Sequence, residues 1–310
     1  MRARAVAAIT AVLLALPLAA CSPNAAAPPD LPKQDITKWT MPLDEYWTAA
    51  TDELANYASS LMIAACLKHE GIEWPIPWQS TDEASYLQPP ANNSSFPALT
   101  VSLAQTDGYR TKFAPGGFGA PTAEWVQARQ KLNAIVASTP GFDPLFDACL
   151  KKARKQVDES DAVQISNTVL GWSNESLEAA NRAPKPKQSS TDWRECMHDA
   201  GLPVDQASPV GSDGWMPEQQ LLTRLGIPPR WQTGDGAPEN PLTQGEIDLA
   251  VADATCRESS GWTAAIYTAM WDAQVKIVAE RGDELVRLRH QGDALRQVAL
   301  KIIAEHAPEK

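Results

Sequence analysis

Apolar positions recur with a helical beat along most of the chain. In residues 44–70, Tyr46, Leu54, Tyr57, Leu61 and Ala65 fall near a 3.6-residue period, which predicts a helix. Residues 122–138 predict a second, with Trp125, Leu132 and Val136 on one side. Thr243 and Glu246 make a capping box that opens a third, running to about Glu258. The longest periodic segment follows Gly261. Ile266, Met270, Ala273 and Ile277 set one register, and Leu288, Gly292, Leu295, Ala299 and Ile302 set another. Arg281 and Glu284 stand at the joining positions and Gly282 weakens the helix there. One long bent helix, or two in line, is expected over 263–305.

Strand signals are thin. Thr100-Val-Ser-Leu103 is the nearest to one, although Gln105 to Gly108 after it reads as a helix end. Residues 74–97 and 226–242 are Pro-rich loops. The run Arg182-Ala-Pro-Lys-Pro-Lys-Gln-Ser-Ser-Thr191 reads as a linker between two helical regions. The fold class expected is mainly α, in a two-half arrangement. An N-terminal helical half covers 41–185, and a C-terminal half covers 186–310 with the long helix.

Two short stretches echo each other, "CLKHEGI" at Cys66–Ile72 and "CMHDAGL" at Cys196–Leu202. Glycine just past a helix supplies the left-handed backbone of a Schellman stop, where the next residue packs against an apolar one five positions back. Ile72 and Leu202 would then meet Leu67 and Met197. Residues 217–227, ending in Gly226-Ile227, repeat the stop without a cysteine. The stop is therefore a general device of this chain, and the cysteine is what marks out the two copies.

Charge and cysteines narrow the setting. The chain has 27 Lys and Arg against 38 Asp and Glu, a formal charge of −11. Without residues 1–20, which hold two arginines and no acid, it falls to −13. Nucleic acid and anionic lipid headgroups attract basic patches, so both are poor partners for this acidic chain as a whole. The basic run Lys151-Lys152-Ala153-Arg154-Lys155 reads as an exposed helix end. Apart from Cys21, four cysteines remain, an even number that suits disulfides in an oxidising compartment. Three connectivities exist. Cys66–Cys149 with Cys196–Cys256 is favoured because each bridge then staples one half.

The N-terminus supplies the strongest address. Arg2 and Arg4 precede an uncharged apolar run, Ala5–Leu18, too short to span a bilayer comfortably and fitting a signal peptide over 1–20. The run ends in Leu18-Ala19-Ala20-Cys21, which resembles the bacterial lipobox. The resemblance implies cleavage before Cys21 and lipidation of that cysteine, giving a lipid anchor on the extracytoplasmic face of the cell membrane. Residues 21–40, rich in Pro, Ala and Asn at their start, read as a flexible tether.

Chemistry is sparse. Ser-x-x-Lys and Gly-x-Ser-x-Gly are absent. His69-Glu70 starts a zincin-like pattern, but position 73 is Glu and the second histidine is missing. There is no CxxC, and His69 and His198 stand at different offsets from their cysteines. No catalytic residue, metal site or cofactor is assigned. The composition holds 11 tryptophans. Trp39, Trp47, Trp125, Trp193, Trp262 and Trp271 suit a core between helices. Trp74, Trp78, Trp215 and Trp231 lie in or beside Pro-rich loops and are the candidates for ligand contact.

The stretches "WRECMHDAGLPV" and "PLTQGEIDLAVADATCRESSGW" resemble a group of uncharacterised actinobacterial lipoproteins with paired Cys-x4-Gly elements and a long C-terminal helix. The resemblance implies a location and a helical build, and no activity. The expectation is a non-catalytic binding or assembly factor at the cell envelope, with an envelope protein or cell-wall component as partner. The alternative is a module binding a solute or wall glycan through the loop tryptophans.

Overall fold

A computed structural model describes residues 31–47, 49–82, 99–109, 123–202, 204, 209 and 242–309, all helix or irregular chain. Among the described residues, eight α-helices follow a 3-10 turn at Asp44–Tyr46. They are α1 (Ala49–His69), α2 (Val101–Asp107), α3 (Ala123–Ser138), α4 (Phe142–Arg154), α5 (Glu159–Arg182), α6 (Pro184–Asp199), α7 (Gln244–Ser259) and α8 (Trp262–His306). The protein is mainly helical, with a long C-terminal helix and two disulfides.

Residues 31–47 form a strap. Trp39, Met41, Leu43 and Tyr46 are buried, so packed chain begins inside the stretch expected as tether. Met41 N–H donates to Asp44 Oδ2 at 2.7 Å, which sets the 3-10 turn and separates Tyr46 from α1. Tyr267 Oη accepts from Asp35 N–H at 3.0 Å and donates to Thr40 O at 2.9 Å. Gln274 Oε1 accepts from Leu43 N–H at 3.0 Å, while its Nε2 reaches Ser176 Oγ at 3.1 Å on α5. Trp39 takes a φ of +51°, left-handed and costly for a bulky residue, and its edge-on contact with Tyr267 holds it there.

Both helix stops form as the spacing predicts. Gly71 and Gly201 have φ of +79° and +76°. Ile72 N–H donates to Leu67 O at 3.0 Å, and Leu202 N–H to Met197 O at 2.9 Å. These are the six-to-one bonds of the Schellman motif. Leu67 and Met197 are fully buried beneath them. The third stop, at Gly226, lies outside the described residues.

The helix end read at Gln105–Gly108 is borne out, and one local reading is corrected. Thr100–Leu103 is the cap and first turn of α2: Thr100 Oγ1 accepts from Leu103 N–H at 3.2 Å. Side-chain capping outweighs the strand preference of so short a run. The expected linker at 182–191 is helical except for Ala183. Pro184 and Pro186 stand in the first turn of α6, where a missing N–H costs nothing and a fixed φ suits the helix.

The long helix is bent where its two registers fail to join. Arg281 departs from helical geometry (φ −119°, ψ 18°), and its guanidinium lies over the Trp172 ring at 5.0 Å. The N-terminal part of α8 packs on the strap and the end of α5, through Trp262, Ile266, Tyr267 and Met270. The C-terminal part packs Ala299, Ile302 and Ile303 on Leu54, Ala58 and Leu61 of α1. One helix thus joins the elements of both expected halves.

Candidate functional site

The two disulfides carry the expected pairing. Cys66 joins Cys149 across α1 and α4, and Cys196 joins Cys256 across α6 and α7. In each, the cysteine of the Cys-x4-Gly stop is half-buried and its partner is buried. Lys152 Nζ stands 3.8 Å from Cys66 Sγ, and Ser259 Oγ 3.7 Å from Cys196 Sγ.

Beside the second bridge lies a buried polar cluster built on α7. Asp253 and Arg257 are four residues apart, so both project from one helix face into the core. Asp253 Oδ1 accepts from Trp193 Nε1–H at 2.9 Å and from Arg257 Nε–H at 2.7 Å. Its Oδ2 accepts from Tyr109 Oη–H at 2.9 Å and from an Arg257 Nη2–H at 2.7 Å. Arg257 also donates to Pro209 O and lies over the Trp262 ring at 5.3 Å. Burial opposes the charge of Arg257, and the Asp253 carboxylate outweighs it and raises the guanidinium above its ordinary value. Burial, then the neighbouring Asp253, pushes the Tyr109 hydroxyl well above its ordinary range. Gly108 permits the approach: a Cβ there would come within 2.9 Å of Leu242 Cδ1 and 3.0 Å of Glu246 Oε1. The sequence held one sign of this cluster, the i, i+4 pair Asp253/Arg257 flanking Cys256. Which aromatic groups would close on it was invisible, because Tyr109 and Trp193 come from remote segments.

A second feature is the adjacent pair Asp52 and Glu53 in the first turns of α1. Burial pushes Asp52 up to about 6 against a hydrogen bond from Ser166, and pushes Glu53 up to about 7 with help from the Asp52 charge. A third is a cavity of about 430 Å³ lined by Thr191, Arg194, Glu195, His198, Asp199 and Val204. His198 and Asp199, at its edge, are exposed.

The loop tryptophans are only partly placed. Trp74 stacks on Phe142 at 5.2 Å between ring centroids and leans on Phe146 at 5.8 Å, so its ring is engaged within the protein. Trp78 is half-buried on a segment that Tyr57 holds, donating to Pro77 O at 3.1 Å and accepting from Gln79 N–H at 3.2 Å. Trp215 and Trp231 lie outside the described residues, as does Cys21. Of the tryptophans expected in the core, Trp39, Trp193 and Trp262 are buried, and Trp47, Trp125 and Trp271 are half-buried. Trp172 joins the core as well. Among the described residues no group of three or more His, Cys, Asp and Glu could hold a metal ion. None of the described helices is long and apolar enough to cross a membrane. No family model, curated protein or solved structure matches the chain.

Proposed function

We propose that the protein is an extracytoplasmic lipoprotein, anchored to the membrane through Cys21, and that it acts as a non-catalytic binding or assembly factor of the cell envelope. The observation that carries the reading is the sequence Leu18-Ala19-Ala20-Cys21, placed directly after the uncharged run Ala5–Leu18. The two disulfides support it, since bridges persist outside the reducing cytosol. The polar cluster supports the non-catalytic part. Asp253 accepts from Tyr109, Trp193 and Arg257, and Arg257 also donates to Pro209 O, a bonded arrangement that fixes a core.

The long helix is the element offered to a partner. Val286 and Val298 stand exposed on its C-terminal part, while Leu285, Leu288, Ala299 and Ile302 are buried. The test is metabolic labelling with an alkyne fatty acid in an actinobacterial host. The wild type takes up label and fractionates with membranes, and Cys21→Ala loses both. Equal labelling of the two chains overturns the anchor. Photo-crosslinkers at Val286 and Val298 then capture an envelope protein, and their failure to do so removes α8 as the contact.

A further inference from the structure

We propose that the tether end of the molecule is a second membrane contact, in which Lys33, Lys185 and Lys187, with Lys38 and Arg182 beside them, rest on anionic phospholipid headgroups. The proposal rests on the lipoprotein reading, which sets where the membrane lies.

The strap fixes the point at which the chain arrives from the anchor. Asp35 and Thr40 are bonded to Tyr267, and Ile36, Trp39 and Met41 pack against Leu177, Ala180, Trp262, Ile266 and Met270. Residue 35 therefore sits beside the first turns of α8, the last turns of α5 and the junction into α6. Five cations stand on these segments. Lys33 and Lys38 come from the strap, Arg182 ends α5, and Lys185 and Lys187 flank the buried Pro186 in the first turn of α6. Two are neutralised locally, Lys38 by Asp35 at 3.9 Å and Arg182 by Glu178 at 3.3 Å. Asp44, whose charge reaches Tyr267, is a further carboxylate at this end. Lys33, Lys185 and Lys187 are exposed and in no ion pair among the described residues.

The rest of the chain makes this end stand out. A protein whose mature charge is −13 is repelled as a whole by an anionic bilayer. A body held close by a tether lowers that repulsion by turning its basic end to the surface. Each lysine near an anionic leaflet contributes about 1 kcal/mol, or roughly a fivefold change in occupancy. The effect fades within about 10 Å, so proximity decides it. Residues 22–30 separate the anchor from the first described residue, a reach of about 30 Å at full extension. The tether is therefore short enough to let this end of the fold meet the headgroups.

The experiment uses the mature chain, 21–310. Four of its five cysteines are bridged, leaving the Cys21 thiol for coupling to a maleimide lipid. The coupled protein is compared on phosphatidylcholine vesicles and on vesicles that also contain phosphatidylglycerol, by following acetylation of each lysine by mass spectrometry. Lys33, Lys185 and Lys187 are expected to react about fivefold more slowly on the anionic vesicles, and high salt restores their rates. Lys151, on α4, and Lys155, just past its end, keep the same rate on both. With K33E/K185E/K187E, the protection of Lys38 disappears; with K131E/K151E/K155E, it stays. Equal rates on the two vesicles, or stronger protection of Lys151 and Lys155, overturn the proposal. Because the coupling is chemical, these outcomes are independent of whether cells acylate Cys21, which the labelling experiment reads separately.

Discussion

At the scale of single residues, the strongest commitments are buried charges. Asp253 is fully buried and serves as acceptor for three different side chains. Replacing it with Ala leaves the buried Arg257 charge without its carboxylate, which costs about 3–5 kcal/mol. Tyr109→Phe removes one donor from a carboxylate that keeps two partners and costs about 1 kcal/mol. Urea unfolding checks the order, and an equal loss in both variants would mean that the carboxylate is not the hub. Asp52 and Glu53 work in the opposite sense. Their folded values, about 6 and about 7, lie above the ordinary carboxylate range, so the folded protein holds protons that the unfolded chain releases. The stability they contribute is full below the unfolded values and is lost as pH rises through 6 and 7. Thermal unfolding should thus fall in midpoint between pH 5 and pH 8. Asp52→Asn with Glu53→Gln should flatten that fall and raise the midpoint at pH 8 by roughly 2–4 °C. A wild-type midpoint independent of pH over this range contradicts it.

At the scale of elements, glycine positions divide by what surrounds them. Gly201 has a left-handed φ with open space around it, so Gly201→Ala meets only backbone strain of about 1–2 kcal/mol. Gly108 combines a φ of +59° and a ψ of −127°, accessible in practice to Gly alone, with the close approach of Leu242 and Glu246. Gly108→Ala is expected to cost at least twice as much, by the same unfolding measurement. The helix stops were legible because a Schellman motif is local: Gly, one apolar residue after it, and one five positions earlier suffice. The start of α6 was misread for a related reason. Two prolines break a helix when they fall inside it and begin one when they fall in its first turn. Which applies depends on where α5 ends, and the packing of Ala180 on Trp39 and Trp262 sets that.

At the scale of the molecule, α8 is the spine. Its 45 residues would measure about 68 Å if straight, and its bend at Arg281 lets one part follow the strap and α5 while the other follows α1. Deleting 282–310 removes Leu285, Leu288, Ala299, Ile302 and Ile303 from the core and should unfold the N-terminal helices, seen as lost helical circular dichroism beyond the deleted segment. A folded remnant would mean that α8 is an appendage. The staples act through the unfolded chain. Their sequence separations of 83 and 60 place each at about 4–5 kcal/mol in the chain-entropy description. C66S/C149S and C196S/C256S should each lower the thermal midpoint strongly and to a similar degree. A silent pair would show that its helices are held without the bridge.

The sequence by itself determined what depends on neighbours along the chain. It specified the helical class, the two glycine stops, the break near Arg281 and a cysteine pattern for which one pairing was favoured. These follow from a 3.6-residue period, from the backbone freedom of glycine and from register counting, all short-range properties. Tertiary structure alone decided what depends on contact between distant segments. It packed Trp39 and Met41 onto α8, drew Tyr109 and Trp193 to Asp253, and bonded Asp35 and Thr40 to Tyr267. The physical reason is that burial and electrostatics act through space, so their partners are chosen only when the helices have packed.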